Sequence, residues 1–186
     1  MQGSGVDAPL NATGRAQAAA FFCAFGHIPF DRVYTSVLQR AVESVRGFID
    51  AGIPHTATPA LNEISWGRYE GLPNTPEQHA EYLATVAQWA AGDLDARLDG
   101  GESPNERAAD QRPFLDELLG PATPPGTYLV AMHGRAMRIL LCQLLRYPLR
   151  EMDSFPHDNL SLYELVHTGS LCQVRRFNNR NYDTAM

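Results

Sequence analysis

Tyr128-Leu129-Val130-Ala131-Met132-His133-Gly134-Arg135-Ala136 is the stretch that decides how this chain folds. Five apolar residues that stop at His-Gly read as a buried strand of a parallel sheet. Directly behind them Met137, Leu140, Leu141, Leu144 and Leu145 fall at i, i+3, i+4, i+7 and i+8, one face of an amphipathic helix over Ala136–Leu145. A strand that ends in His-Gly and turns into a helix sets an imidazole beside unpaired N–H groups and partial positive charge, a natural place for an anion. Taken singly, the same histidine could do no more than cap a strand.

The pattern repeats upstream. Arg32–Thr35 reads as a short strand running into a helix over Leu38–Asp50, with Ala41, Val42, Val45, Phe48 and Ile49 as its apolar face and Gly52 at its end. Arg40 falls in the first turn of that helix, where the macrodipole disfavours a cation. An arginine there points to another partner, such as a phosphate gripped by two parallel hydrogen bonds, unless it is merely solvated. A third segment, Leu61-Asn62-Glu63 through Trp66-Gly67 to Glu70-Gly71, is a glycine-punctuated loop with a carboxylate among apolar neighbours. Such a carboxyl has its pKa pushed toward neutrality and suits a general acid, the plainer reading being a surface carboxylate.

The remaining chain alternates helix and strand signals. Asn11 caps a helix over Ala12–Phe25, and a weak extended piece follows near His55–Thr58. Thr75-Pro76-Glu77-Gln78 and Ser103-Pro104-Asn105-Glu106 are two capping-box helix starts, and Pro113 predicts a kink or restart in the second helix. Leu160–Val166 and Leu171–Phe177, around Thr168-Gly169, read as a terminal hairpin. The fold class is α/β: one domain over residues 1–186, with a mainly parallel central sheet flanked by helices. In open sheets of this kind ligands sit beyond the carboxyl ends of the strands, where both Arg40 and His133 fall.

In this order the segments resemble the histidine phosphatase superfamily, the phosphoglycerate mutase-like proteins, over nearly the whole chain. Asp7-Ala8-Pro9-Leu10 through Gly14 to Gln17-Ala18 is similar to the family's D-x-P-L-T-x-x-G-x-x-Q-A. Thr35-Ser36-Val37-Leu38-Gln39-Arg40-Ala41 resembles S-S-x-L-x-R-A, and the Glu63 loop resembles L-x-E-x-x-x-G-x-x-E-G. Gly101-Glu102-Ser103 matches G-E-S, Met132-His133-Gly134 resembles S-H-G, and Asn159-Leu160-Ser161 resembles N-C-S. One family element has no counterpart: no Arg-His-Gly tripeptide occurs in the 186 residues. In the family that tripeptide ends a first, central strand and carries the histidine that becomes phosphorylated. The resemblance thus implies an N-terminally truncated form that lacks the nucleophile and, as it stands, turnover. The absent strand is expected beside the one ending at His133.

For the intact protein the resemblance implies a phosphomonoester hydrolase acting through a phosphohistidine. Arg40 and His133 would hold the phosphoryl oxygens, and Glu63 would act as general acid and base. Gly134 would allow close backbone approach, Trp66 and Tyr69 would line the substrate side, and Glu102 and Ser103 would sit near the rim. No metal or cofactor is expected. The partner expected is a small phosphorylated metabolite, with homodimer formation left open. A phosphoglycerate mutase is the second reading, disfavoured by the short stretch between Glu63 and His133. A pocket that binds phosphorylated ligands without turning them over is the third. Phosphoglycerate, α-ribazole phosphate, phosphoserine and sugar phosphates all remain open as substrates.

Composition narrows the classes further. A net charge of −6 and a pI near 5.4 argue against nucleic acid or an anionic membrane surface as partner. Cys23, Cys142 and Cys172 are scattered and odd in number, as in a reduced cytoplasmic protein. The longest apolar run, Ala18–Phe25, is too short to span a bilayer. No phosphate-loop, dinucleotide or nucleophile-elbow motif occurs, and no His/Cys/Asp/Glu spacing suits zinc. His27, His55 and His167 read as solvated, His79 as a helix residue without a ligand-spaced partner, and His157 as a residue near a pocket mouth.

Overall fold

A computed structural model describes residues 1–73 and 75–180. Three short parallel strands form its centre: β1 (Arg32–Thr35), β2 (His55–Ala57) and β3 (Tyr128–Ala131), in the order β2-β1-β3. Val33 is in register with His55 on one side and with Leu129 on the other. Val33 is fully buried and Leu129 nearly so, which is why these strands read as continuous apolar runs. Helices surround the sheet: α1 (Ala12–Phe25), α2 (Gln39–Ser44), α3 (Arg46–Asp50), α4 (Pro76–Ala91), α5 (Pro104–Leu118) and α6 (Gly134–Leu145). The hairpin β4 (Leu162–His167) and β5 (Cys172–Asn179) is a separate antiparallel sheet, and Gly169 takes φ +92° in its turn. Among the described residues, β3 pairs only with β1 and β4 only with β5, so each keeps one edge without a strand.

Local chemistry explains most boundaries. Asn11 accepts the Gly14 N–H at 2.8 Å and starts α1. Both capping boxes form: Thr75 with Gln78 opens α4, and Ser103 with Glu106 opens α5. Two expectations need correction. The helix expected over Leu38–Asp50 is two pieces, broken at Val45 with φ −122° and ψ 16°. The Ser44 hydroxyl donates back to the Arg40 carbonyl at 2.7 Å, a bond that bends helices. The break also seats Gly47 against the Phe22 ring, where a Cβ would lie 2.6 Å from the Phe22 Cγ. Conversely, α5 does not restart at Pro113 but is one helix over Pro104–Leu118. Its Gln111 donates to the Ala136 carbonyl at 2.8 Å and accepts from Gln143 at 2.9 Å, while Phe114 and Leu115 are buried. Tertiary anchoring on α6 overrides the bond that proline removes.

Three apolar clusters hold these layers together. Phe21, Phe25 and Phe48 pack α1 and α3 on one face of the sheet, with Phe22 meeting Phe48 edge-on at 5.0 Å. Tyr34, Leu61, Phe114 and Leu140 fill the space between β1, α5 and α6. Trp66, Trp89, Ile139 and Met152 form the third, in which the two tryptophans stack at 5.9 Å. No helix among the described residues is long and apolar enough to cross a membrane.

Candidate active site

The carboxyl ends of β1 and β3 deliver Ser36 and His133 to one point. Ser36 is fully buried, and its Oγ lies 2.7 Å from the His133 Nε2. The same oxygen accepts the Leu38 N–H at 3.2 Å, so its own proton is free to go to Nε2. That arrangement leaves the proton of a neutral imidazole on Nδ1, as a donor. His133 is held neutral: burial first, then the nearby Arg40 and His157, pull its pKa down to about 3. His133 is also the N-cap of α6, as its position after β3 requires.

Glu63 reaches the same helix start from the loop after β2. Its Oε1 accepts the Ala136 N–H at 2.8 Å and the Ile64 N–H at 2.9 Å, and its Oε2 accepts the Arg135 N–H at 3.1 Å. Two of the unpaired donors expected at the start of this helix, the Arg135 and Ala136 N–H groups, are therefore satisfied by a carboxylate of the chain itself. Glu63 is only 8% exposed, and burial raises its pKa against the opposing pull of three backbone N–H groups and of Arg135. Oε2, with a single N–H on it among the described residues, has room for a proton.

Arg40 stands in the first turn of α2, against the dipole as the sequence implied. Its guanidinium donates to the Val6 carbonyl at 2.5 Å and to the Gly3 carbonyl at 3.1 Å, and it is electrostatically coupled to Glu63, Asp7 and Glu70. The segment it grips is kept close by Glu70: a Cβ on Gly3 or Gly5 would collide with that carboxylate. Asp7 ties the same segment to α2 through the Gln39 N–H at 2.7 Å.

The other expected positions divide. Gly134 begins α6 beneath the His157 ring, where a Cβ would come within 3.0 Å of its atoms. Trp66 lies in the core against Trp89 and Tyr82, and the buried Tyr69 donates its hydroxyl to Glu81. Ser103 is buried and its hydroxyl serves as the cap of α5. Glu102 lines a cavity beside the Glu63 loop and accepts the Ser65 N–H at 3.3 Å. Arg40, Glu63, His133 and Gly134 therefore converge, Glu102 adjoins them, and Trp66, Tyr69 and Ser103 are held in packing and capping. His157 and Ser36 join the cluster without having been assigned a role from the sequence. Ser36 stood inside the quoted Thr35–Ala41 motif, which was the available signal. His55, expected to be solvated, instead sets its Nε2 2.9 Å from the buried Thr35 hydroxyl, because pairing of β2 with β1 brings the two within diagonal reach, two register positions apart.

The ends of β1 and β3 and the loop after β2 thus bring together a half-buried arginine, a buried histidine and a buried carboxylate. The sequence pattern of the histidine phosphatase superfamily (branch 1) matches residues 1–180, and the chain belongs to that family. It is 35% identical over 144 residues to the 2,3-bisphosphoglycerate-dependent phosphoglycerate mutase 2 of Gloeobacter violaceus, covering 74% of this chain and 65% of that protein. It is 31% identical over 124 residues to fructose-2,6-bisphosphatase TIGAR B of Danio rerio, covering 64% and 46%. The chain thus spans less than two thirds of the length of these curated relatives. The native structure of mycobacterial glucosyl-3-phosphoglycerate phosphatase superposes with a TM-score of 0.79 at 26% identity, covering 97% of this chain and 91% of that one. A putative alpha-ribazole-5'-P phosphatase from Escherichia coli shares the fold, with a TM-score of 0.81 at 23% identity over 97% and 88%.

Proposed function

We propose that this chain is the phosphate-binding and acid–base part of a phosphomonoester hydrolase that works through a phosphohistidine. The observation that carries this reading is the convergence of Arg40, neutral His133 and Glu63 at the ends of β1 and β3. Arg40 and the His133 Nδ1–H hold phosphoryl oxygens and stabilise the charge that develops on them. A histidine nitrogen attacks phosphorus as the bond to the leaving oxygen breaks, and Glu63 protonates that oxygen. Water then attacks the phosphohistidine, gives a proton back to Glu63 and releases inorganic phosphate. In this reading the strand bearing the nucleophile pairs with the free edge of β3. The cationic pocket supplies the charge that a metal ion supplies elsewhere, and the protein works in the cytoplasm.

A form of the protein that includes an Arg-His-Gly strand is expected to hydrolyse an aryl phosphate with EDTA present. Activity abolished by EDTA and restored by a divalent ion would contradict the mechanism. The mutase reading ranks second and is favoured by the likeness to the Gloeobacter violaceus enzyme. Transfer of the phosphoryl group to 3-phosphoglycerate faster than to water would select it.

A further inference from the structure

A cavity of about 700 Å³ opens beside the Glu63 loop, within the size range of small-molecule sites. Asn62 and Ser65, which bracket Glu63 and Ile64, form one wall, and the first two turns of α5 form the other. Ser4 closes a third side, next to Gly3, whose carbonyl accepts Arg40. The cavity therefore adjoins the loop that carries Glu63 and the segment that Arg40 grips.

Its charge is unusual for a phosphate-handling protein. Glu102 and Asp110 face it with one guanidinium, Arg107, while Glu106 on the same wall is already paired with Arg97 and the Ser103 N–H. Arg107 is only 5% exposed; its terminal nitrogens lie 3.6 Å from Glu102 and 3.1 Å from Asp110, and its Nε–H has no acceptor among the described residues. Other donors line the opposite wall. The Asn62 Oδ1 is taken by the Val37 N–H, which leaves its amide N–H groups for a ligand, and the Ser65 Oγ accepts the Gly67 N–H, which leaves its proton. The cavity thus presents donors and carboxylate acceptors side by side. A second phosphate or a carboxylate would satisfy the donors but meet the Glu102 and Asp110 carboxylates. An ammonium would satisfy the carboxylates but leave Arg107 without its acceptor. A hydroxyl both donates and accepts.

We propose that this cavity holds the leaving group of the substrate and selects a neutral polyhydroxyl one, so that the substrate class is sugar or polyol monophosphates rather than phosphoglycerates or bisphosphates. The proposal rests on the phosphatase reading, and a binding experiment on the 186-residue chain separates the two. Calorimetry would compare inorganic phosphate, glucose 6-phosphate, 3-phosphoglycerate and phosphoethanolamine, with wild type and with Asp110→Asn at an exposed position of α5. Wild type should bind glucose 6-phosphate at least ~10-fold more tightly than inorganic phosphate, the gain expected from one hydrogen bond to a charged group. It should bind the other two more weakly than glucose 6-phosphate. Asp110→Asn should narrow the gap between glucose 6-phosphate and 3-phosphoglycerate while inorganic phosphate binds as before. Failure to bind inorganic phosphate would overturn the phosphatase reading and this proposal with it. With phosphate bound, the proposal alone is overturned by a preference for 3-phosphoglycerate or phosphoethanolamine, by no gain from the sugar, or by an unchanged gap in Asp110→Asn.

Discussion

Glu63 and Glu102 are both lifted above the ordinary carboxylate range by burial, yet they sit in different company. Around Glu63, three backbone N–H groups and a paired histidine and serine close a small polar cluster. Around Glu102, acids, one arginine and loop donors face an open cavity. The closed cluster is shaped by the chain's own hydrogen bonds and stays in place without a ligand, as a site for a common group such as phosphate must. The open one leaves polar groups for a partner to complete, which is why the proposed selectivity between substrates is placed there.

The largest expected effect tests the closed cluster through pH. His133 is depressed to about 3 in the folded chain from an ordinary 6.5, so the folded state binds fewer protons than the unfolded one across that interval. Its stability contribution is present above pH 6.5 and is lost as pH falls toward 3, by about 5 kcal/mol at most. Urea denaturation at stepped pH should show this acid limb, and His133→Asn should flatten it. An identical slope in both proteins would contradict the burial of a neutral imidazole.

Arg40→Ala comes next. Loss of a charge-assisted donor pair should weaken inorganic phosphate binding about 10- to 100-fold, and Arg40→Lys should recover little of it because a point charge does not replace the fork. Retained affinity in Arg40→Ala would move the phosphate site elsewhere. Glu63→Gln sets an NH₂ group among N–H donors and should cost ~1–3 kcal/mol near pH 4. Because the Glu63 pKa is raised, the wild type loses stability as pH climbs from 4.5 through its folded value, and the glutamine variant does not. The gap between the two should therefore narrow with rising pH; a widening gap would mean that the carboxylate is stabilised as an anion. Smallest is Gly134→Ala. The exposed His157 ring, 3.0 Å from the new Cβ, can give way, so the melting free energy should stay within ~1 kcal/mol. The His157 ring resonances should nonetheless shift, and unmoved resonances would separate His157 from the cluster.

The parts legible from the sequence were those whose chemistry is local. The apolar run before His133, the dipole-opposed Arg40 and the two capping boxes each carry their physics within a few residues, and each stands where expected. Long-range partners were not legible in the same way. Glu63 was read as a candidate acid from its apolar neighbours, but its acceptors' partners, Arg135 and Ala136, lie more than 70 positions on, joined only by the fold. The break at Val45 depends on a side-chain bond from Ser44 and on a ring from α1, neither visible in a hydrophobic pattern that runs smoothly to Ile49. Pro113 misled in the opposite direction, since the anchor that keeps α5 continuous is a glutamine contact to α6. The cavity beside Glu102 was foreshadowed only by the Gly101-Glu102-Ser103 motif, because Arg107 and Asp110 join it only through the placement of α5 in the fold.

The central claim, that Arg40 and His133 jointly hold a phosphoryl group, is tested most directly by a phosphate titration followed by ¹⁵N NMR at the His133 ring nitrogens and the Arg40 Nε. Both signals should move together and saturate at the same phosphate concentration, with the His133 Nδ1 as the protonated nitrogen throughout. Phosphate that leaves both signals unmoved, or that shifts Arg107 while Arg40 and His133 stay still, would contradict it.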